Sequence, residues 1–133
     1  MGGCRTHEDK YILDLRGSSY LSYIIMQAKS VPTFLKQATD FLVKAYQPKA
    51  IYLFGSHARG TAGPDSDYDL LLVVDDNADK TKRKSEMAYR ILRPLGQAVD
   101  VLVWRQSRFL EEIKSKTSLP YTINKEGLVL YAA

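Results

Sequence analysis

Two aspartates and a glycine-serine turn lie between two apolar runs of this sequence. The turn begins at Gly55 and Ser56, and the segment GSHARGTAGPDSDYD ends with Asp67 and Asp69, directly before LLLVV. Because successive side chains of a strand point to opposite faces, we expect Asp67 and Asp69 to project together and Tyr68 to point away. Two carboxylates on one face can bind a divalent cation.

A third acidic residue, Asp100, interrupts another apolar run, VDVLVW at positions 99–104. If this strand lies beside that of Asp67 and Asp69, three carboxylates converge, and unit charges about 4 Å apart repel by several kcal/mol at an effective dielectric near 20. A divalent cation relieves such repulsion. Ligation by oxygen atoms alone favours Mg²⁺, which keeps several waters and completes its shell with substrate phosphates. We therefore predict that Asp67, Asp69 and Asp100 bind Mg²⁺.

The glycine-serine turn provides groups that suit an anion. Gly55 can bring the backbone close to a ligand, and Ser56 offers a hydroxyl and an amide where a helix would begin. The guanidinium of Arg59 fits phosphate oxygens, and Ser66 adds a further hydroxyl. We predict that Gly55, Ser56, Arg59 and Ser66 bind a nucleotide. Polyphosphate beside metal suits in-line transfer at phosphorus, in which two ions about 3.5–4 Å apart stabilise the entering and leaving oxygens.

Single residues of this segment exclude the P-loop, which binds phosphate, and the EF-hand, which binds calcium. A P-loop needs a lysine after its second glycine, and Thr61 occupies that position here. An EF-hand would use Asp65, Asp67 and Asp69 as its first three ligands, but its sixth position requires glycine and is Leu70 in this chain. The segment is therefore neither a P-loop nor a calcium loop.

Length and composition indicate a folded domain of ordinary size. The chain has 133 residues, of which 45% are hydrophobic and 26% charged. The net charge of +4 and the pI near 9.1 favour anionic partners only weakly. Cys4 is the one cysteine, which rules out an intrachain disulfide, and no run approaches the ~20 apolar residues of a membrane span. We expect a cytoplasmic protein without membrane contact.

The apolar pattern predicts a domain of helices and strands over residues 29–133. Residues 1–28 show no sustained period and are interpreted as an N-terminal extension, disordered or partner-binding. The first helix has about 13 residues, and Pro94 is expected to bend or end the second. In chain order we predict a helix with the apolar face Phe34, Leu35, Ala38, Phe41, Leu42 and Ala45, strands at 51–54 and 67–74, a helix over 79–95, a strand at 99–104, helices at 107–114 and 118–127, and a terminal strand LVLY.

Three features have simpler interpretations beside the chemical ones. Arg59 could form an ion pair with Asp65 instead of binding phosphate. His57 is interpreted as a variable loop residue, because the acids and the metal already supply proton transfer. The basic cluster at 80–84 is interpreted as a solvated helix face, so direct nucleic-acid binding is not expected.

The pattern G-S-x10-D-x-D, present here as GSHARGTAGPDSDYDL, resembles that of the DNA polymerase β-type nucleotidyltransferase superfamily, and in particular of its minimal nucleotidyltransferases. The resemblance extends from about residue 31 to the C-terminus and includes VDVLVW as the strand of the third acid. It implies an α/β (α+β) fold, a small mixed β-sheet with helices packed mainly on one face. It also implies that Gly55 and Ser56 hold the triphosphate, that Asp67 and Asp69 bind magnesium, and that Asp100 ligates one ion and helps to activate the attacking hydroxyl.

Minimal members of this superfamily commonly lie beside a small all-helical HEPN protein, forming toxin–antitoxin pairs in which the nucleotidyltransferase attaches AMP to the toxin. The resemblance therefore implies Mg²⁺-dependent transfer of AMP from ATP to a tyrosine, serine or threonine hydroxyl of a HEPN-type partner. Two alternatives stay open: transfer to a small molecule such as an aminoglycoside, and a non-catalytic antitoxin that acts by occlusion. A homo-oligomer is also compatible with the sequence.

Overall fold

The computed structural model describes residues 31–133, so the N-terminal extension predicted at 1–28 lies outside the described residues. None of the helices in the described part is long and apolar enough to cross a membrane. The helices are α1 (Thr33–Tyr46), α2 (Ser56–Arg59), α3 (Glu86–Leu92), α4 (Gln106–Glu112) and α5 (Leu119–Glu126), the strands are β1 (Ala50–Phe54), β2 (Tyr68–Val74), β3 (Val99–Arg105) and β4 (Leu128–Ala132), and 3₁₀ turns cover Lys80–Arg83 and Arg93–Leu95.

The four strands form one mixed sheet in the order β3-β2-β1-β4. β1 pairs antiparallel with both β2 and β4, whereas β2 and β3 are parallel. A parallel pair needs a long crossover, and the segment that contains α3 provides it. The predicted α/β class and the mixed sheet are confirmed.

Helices cover both faces of the sheet, so the expectation that they pack mainly on one face is wrong. One cluster joins Leu70 and Leu72 of β2 to α1 and α3, and the other joins Leu71 and Val73 to Phe109 of α4 and to α5. The reason lies in the run LLLVV. It is apolar at every position, and because successive side chains point to opposite faces, each face of β2 must be covered.

The apolar face predicted for α1 is correct at five of its six positions, with Phe34 and Ala45 partly buried against the core, and wrong at one. Leu35, Ala38 and Leu42 are buried, but Phe41 is 37% exposed. Tyr46, four residues after Leu42, is the next buried residue of the helix. The buried stripe therefore has the spacing of three and four residues that is typical of a helix against a sheet.

The single helix predicted over 79–95 is interrupted in the structure. A 3₁₀ turn covers Lys80–Arg83, Lys84 is extended, and α3 begins two residues later. The buried Tyr46 hydroxyl stabilises the interruption, because it donates to the Lys84 carbonyl oxygen (2.6 Å) and accepts from the Ala88 amide (2.9 Å). These bonds satisfy backbone groups that a continuous helix would pair internally. Pro94 lies in the 3₁₀ turn that ends the helix, as predicted.

The C-terminal elements follow the predicted order with one change of cap. The Ser118 side chain accepts from the Tyr121 amide at 3.1 Å, and α5 ends before Gly127 as expected. α4 begins one residue before Ser107, so Ser107 does not cap it. The Ser107 amide instead donates to Asp76 Oδ1 at 2.9 Å.

Candidate active site

Asp69 and Asp100 are register partners on the parallel strands β2 and β3. Asp69 alternates with Leu71 and Asp100 with Leu102, and both leucines belong to the same cluster, so the two aspartates lie on one face of the sheet. Asp69 is also the register partner of Phe54, the last residue of β1. The structure therefore brings two of the three predicted acids together at the end of the sheet where the glycine-serine turn begins.

Asp67 lies one residue before β2 and is exposed, yet its charge acts on Asp69. Partial burial raises the pKa of Asp69, and the negative charges of Asp100 and Asp67 raise that pKa further. His57 and Arg59 oppose the increase. The three predicted acids thus form one electrostatic group, in which the charges of Asp67 and Asp100 disfavour the ionised form of Asp69.

The chemistry of these three carboxylates suits a divalent cation. They provide oxygen donors only, and a cation would relieve the repulsion that raises the Asp69 pKa. As the side chains stand, no group of three or more His, Cys, Asp or Glu in residues 31–133 could hold a metal ion. Asp67 is exposed and lies one residue outside the strand, so its carboxylate can turn toward Asp69 by changing rotamer. The donor set therefore fits Mg²⁺, with rotation of the Asp67 side chain required for ligation.

Gly55 fits against Asp69 in a way that no other residue at this position would allow. Its φ of 76° and ψ of −156° fall in a region that is essentially restricted to glycine. A Cβ atom added to Gly55 would overlap Asp69 Oδ2. Conformation and space both require glycine, so the turn brings its backbone directly against the carboxylate.

The helix that follows Gly55 is a single turn, Ser56–Arg59. The amides of Ala58 and Arg59 both donate to the Gly55 carbonyl oxygen at 3.1 Å, so neither amide is available to a phosphate. One turn also aligns few peptide dipoles. A phosphate bound here would therefore depend on the Ser56 hydroxyl and the Arg59 guanidinium more than on the helix itself.

Arg59 forms an ion pair with Glu126 of α5, with Nη1 and Oε1 3.6 Å apart. The alternative pair with Asp65 is not the one that the structure shows. The Arg59 and Glu126 side chains are 48% and 41% exposed, and exposed pairs contribute only about 0–1 kcal/mol. Arg59 can therefore leave Glu126 for a phosphate at small cost.

His57 has a structural role that the sequence interpretation missed. Its ring stacks on that of Tyr68 with the centroids 3.7 Å apart, and its Nε2 donates to the Ser66 carbonyl oxygen at 3.1 Å. Ser66 closes its own loop, because its hydroxyl accepts from the Gly63 amide at 2.9 Å. The hydroxyl predicted to bind nucleotide is thus engaged within the loop. The antiparallel pairing of β1 with β2 brings positions 57 and 68 close together, so a prediction of this pairing from the sequence could have indicated the contact.

Tyr89 of α3 is a second neighbour of the site that the sequence interpretation missed. Its hydroxyl donates to Asp100 Oδ1 and accepts from the Val101 amide, both at 3.0 Å. Burial raises the pKa of Tyr89; the Val101 amide opposes this, and the Asp100 charge adds to it. No spacing in the sequence links positions 89 and 100, because only the packing of α3 along β3 brings them into contact.

Comparisons with known proteins show the family to which this chain belongs. The family model described as "Nucleotidyltransferase domain" matches residues 35–129. The curated "Putative protein adenylyltransferase MJ0604" of Methanocaldococcus jannaschii is 30% identical over 99 residues, which cover 73% of this chain and 94% of that protein.

Two solved structures are similar to this chain, and the first of them shows the same fold. A mutant of the toxin–antitoxin MntA-HpeT has a TM-score of 0.51 at 23% identity, with 77% of this chain and 75% of that chain covered. A toxin–antitoxin crystal structure with AMP-PNP has a TM-score of 0.49 at 26% identity, with 73% of each chain covered. The resemblance noted in the sequence is confirmed, and this chain belongs to the nucleotidyltransferase domain family.

Proposed function

We propose that this chain is a Mg²⁺-dependent adenylyltransferase that transfers AMP from ATP to a hydroxyl group of a protein partner. One observation carries the proposal. The register of β2 and β3 sets Asp100 beside Asp69, and the Gly55 backbone lies against the Asp69 carboxylate. Nucleotidyl transfer needs this combination of oxygen donors for a cation and a close-fitting turn for the triphosphate.

Each residue of the site has a defined task in this proposal. Asp67, Asp69 and Asp100 would hold Mg²⁺, which when bound neutralises phosphate charge and stabilises the entering and leaving oxygens. Ser56 would donate its hydroxyl to the triphosphate, and Arg59 would leave Glu126 to pair with a phosphate oxygen.

Asp100 would also act as the base in the chemical step. Its carboxylate accepts the proton of the attacking hydroxyl, which must lie within hydrogen-bond distance of it. The hydroxyl oxygen forms a bond to the α-phosphorus of ATP, and the bond from that phosphorus to the oxygen bridging to the β-phosphate breaks. AMP is left on the partner as a phosphodiester, and pyrophosphate departs.

A protein acceptor is supported by the relative from M. jannaschii. Its name is that of a protein adenylyltransferase, and the match covers 94% of its length. As the partner we propose a HEPN-type helical protein in a toxin–antitoxin pair, because the resemblance to the minimal nucleotidyltransferases implies it.

Intact-mass spectrometry tests the proposal. When the chain is incubated with ATP, Mg²⁺ and the product of the adjacent gene, that product is expected to gain the mass of AMP. Asp67→Asn should abolish the gain. Asp65→Asn is the matched control, because it neutralises another exposed acid two residues away, and it should leave the gain intact.

Two other outcomes would favour the alternatives. Tight binding to the partner without any mass gain would support the occluding antitoxin. Modification of an aminoglycoside, with the partner unlabelled, would support the small-molecule enzyme.

A further inference from the structure

A chain of contacts connects the protein core to Asp100. The buried Tyr46 hydroxyl accepts from the amide of Ala88, which is itself fully buried. Tyr89 is the next residue of α3, and its hydroxyl reaches across to Asp100 Oδ1. The core therefore sets the backbone position of α3 at Tyr89, and the orientation of the ring is a separate matter.

The donor and the acceptor are defined in both hydrogen bonds of the Tyr89 hydroxyl. The Val101 amide donates to the Tyr89 oxygen, so the single hydroxyl proton is left for Asp100 Oδ1. One oxygen of the Asp100 carboxylate is thus engaged, and the other, Oδ2, is left for the site.

Hydrogen bonds orient the Tyr89 ring more than packing does. Tyr89 is 39% exposed, and it borders a surface cavity of about 210 Å³ that Leu92, Arg93, Gln97 and Val99 also line. A ring with an open side is not confined by its neighbours. The two bonds of its hydroxyl are what hold it at the edge of β3.

We propose that Tyr89 is a positioning residue for nucleotidyl transfer, whose hydroxyl holds the exposed Asp100 carboxylate in one orientation beside Asp69. The inference rests on the proposed function and adds a residue to its machinery. Some side chains hydrogen-bond a metal ligand without touching the metal. Removing such a side chain typically lowers metal affinity or activity by about 10–100-fold. Tyr89 does not itself touch the nucleotide or the acceptor in this account.

Steady-state kinetics of AMP transfer give the first test. Tyr89→Phe removes one oxygen atom and is expected to lower kcat by about tenfold while changing KM for ATP by less than about twofold. Tyr121→Phe on α5 is the matched control and should leave kcat unchanged. A Tyr89→Phe protein whose Tm falls while kcat stays at the parent value would show a structural role only and would overturn the proposal.

A double-mutant cycle on cation binding gives a readout that does not depend on activity. Binding of Mn²⁺ in the presence of AMP-PNP is measured by calorimetry for the parent, Tyr89→Phe, Asp100→Asn and the double variant. If Tyr89 acts through Asp100, Tyr89→Phe weakens binding in the parent, by about tenfold, and has no further effect once Asp100 is Asn.

The outcomes of this cycle separate the two proposals. Equal effects of Tyr89→Phe in both backgrounds, or no effect in either, would overturn the positioning role alone. Failure of the parent protein to bind Mn²⁺ with AMP-PNP would overturn the proposed function, and the positioning role would fall with it.

Discussion

Asp69 and Asp100 stand opposite each other on the two parallel strands of the sheet, and each has a fixed neighbour of its own. The Gly55 backbone lies against Asp69, whereas the Tyr89 hydroxyl is bonded to Asp100. The acid pair thus lies between a turn on one side and a helix on the other. These contacts predict how substitutions at each residue change activity and stability.

Replacing Asp69 should increase stability while it removes activity. Ionised Asp69 is disfavoured by burial and by the charges of Asp100 and Asp67, so Asp69→Asn is expected to raise the Tm at pH 7 in the presence of a chelator. AMP transfer should be lost in the same variant. Differential scanning calorimetry and the mass assay measure the two effects.

The gain in stability should depend on pH with a defined sign. The raised pKa of Asp69 means that the folded protein takes up a proton at this site more readily than the unfolded chain. The parent therefore loses stability as the pH rises through the folded pKa, and the penalty disappears as the pH falls toward the ordinary value of 3.8. The Tm difference between Asp69→Asn and the parent should shrink at acidic pH, and a difference that grew there would contradict the assignment.

Gly55 and Gly60 offer a matched pair of substitutions. Both have positive φ, 76° and 79°, but only at Gly55 would a Cβ meet another group, Asp69 Oδ2. Gly60→Ala should cost about 1–2 kcal/mol of stability from backbone strain alone and keep nucleotide binding. Gly55→Ala should cost more and abolish nucleotide binding, because the strain of its restricted region, about 1–3 kcal/mol, adds to the overlap with the carboxylate. Urea unfolding and AMP-PNP titration compare them, and equal losses of binding would argue against a specific role of Gly55.

The sequence predicts most of this fold because the strands are short apolar runs bounded by turn residues. The same reasoning fails where tertiary contacts determine a helix boundary or a neighbour of the site. The helix over 79–95 is broken because Tyr46, far away in the chain, bonds Lys84 and Ala88. Spacing likewise places Asp69 and Asp100 on strands and Asp67 beside one, but it cannot indicate Tyr89, whose contact depends on how α3 packs along β3.

The stack of His57 on Tyr68 should stabilise the loop that leads to the acids. His57→Ala removes the stack and the bond to the Ser66 carbonyl oxygen, and a loss of about 1–2 kcal/mol in the free energy of unfolding is expected. His57→Phe keeps the stack and removes only the bond, so its loss should be smaller. Urea denaturation measures both, and a larger loss for His57→Phe would show that the ring contact is not the stabilising part.

Release of Arg59 from Glu126 should favour nucleotide binding. Glu126→Gln removes an exposed ion pair, so stability should change by less than about 1 kcal/mol. Because Arg59 is then unpaired from Glu126, KM for ATP should fall, whereas Arg59→Gln should raise it. A KM that is the same in both variants would exclude Arg59 from the phosphate site.

Diffraction from a crystal with Mn²⁺ and AMP-PNP tests the central claim most directly, because the anomalous signal of manganese distinguishes the bound metal from water. The account predicts a peak within coordination distance, about 2.0–2.3 Å, of carboxylate oxygens of Asp69 and Asp100, with the triphosphate on the Gly55–Ser56 turn. A peak away from both aspartates, or a triphosphate bound elsewhere on the chain, would contradict it.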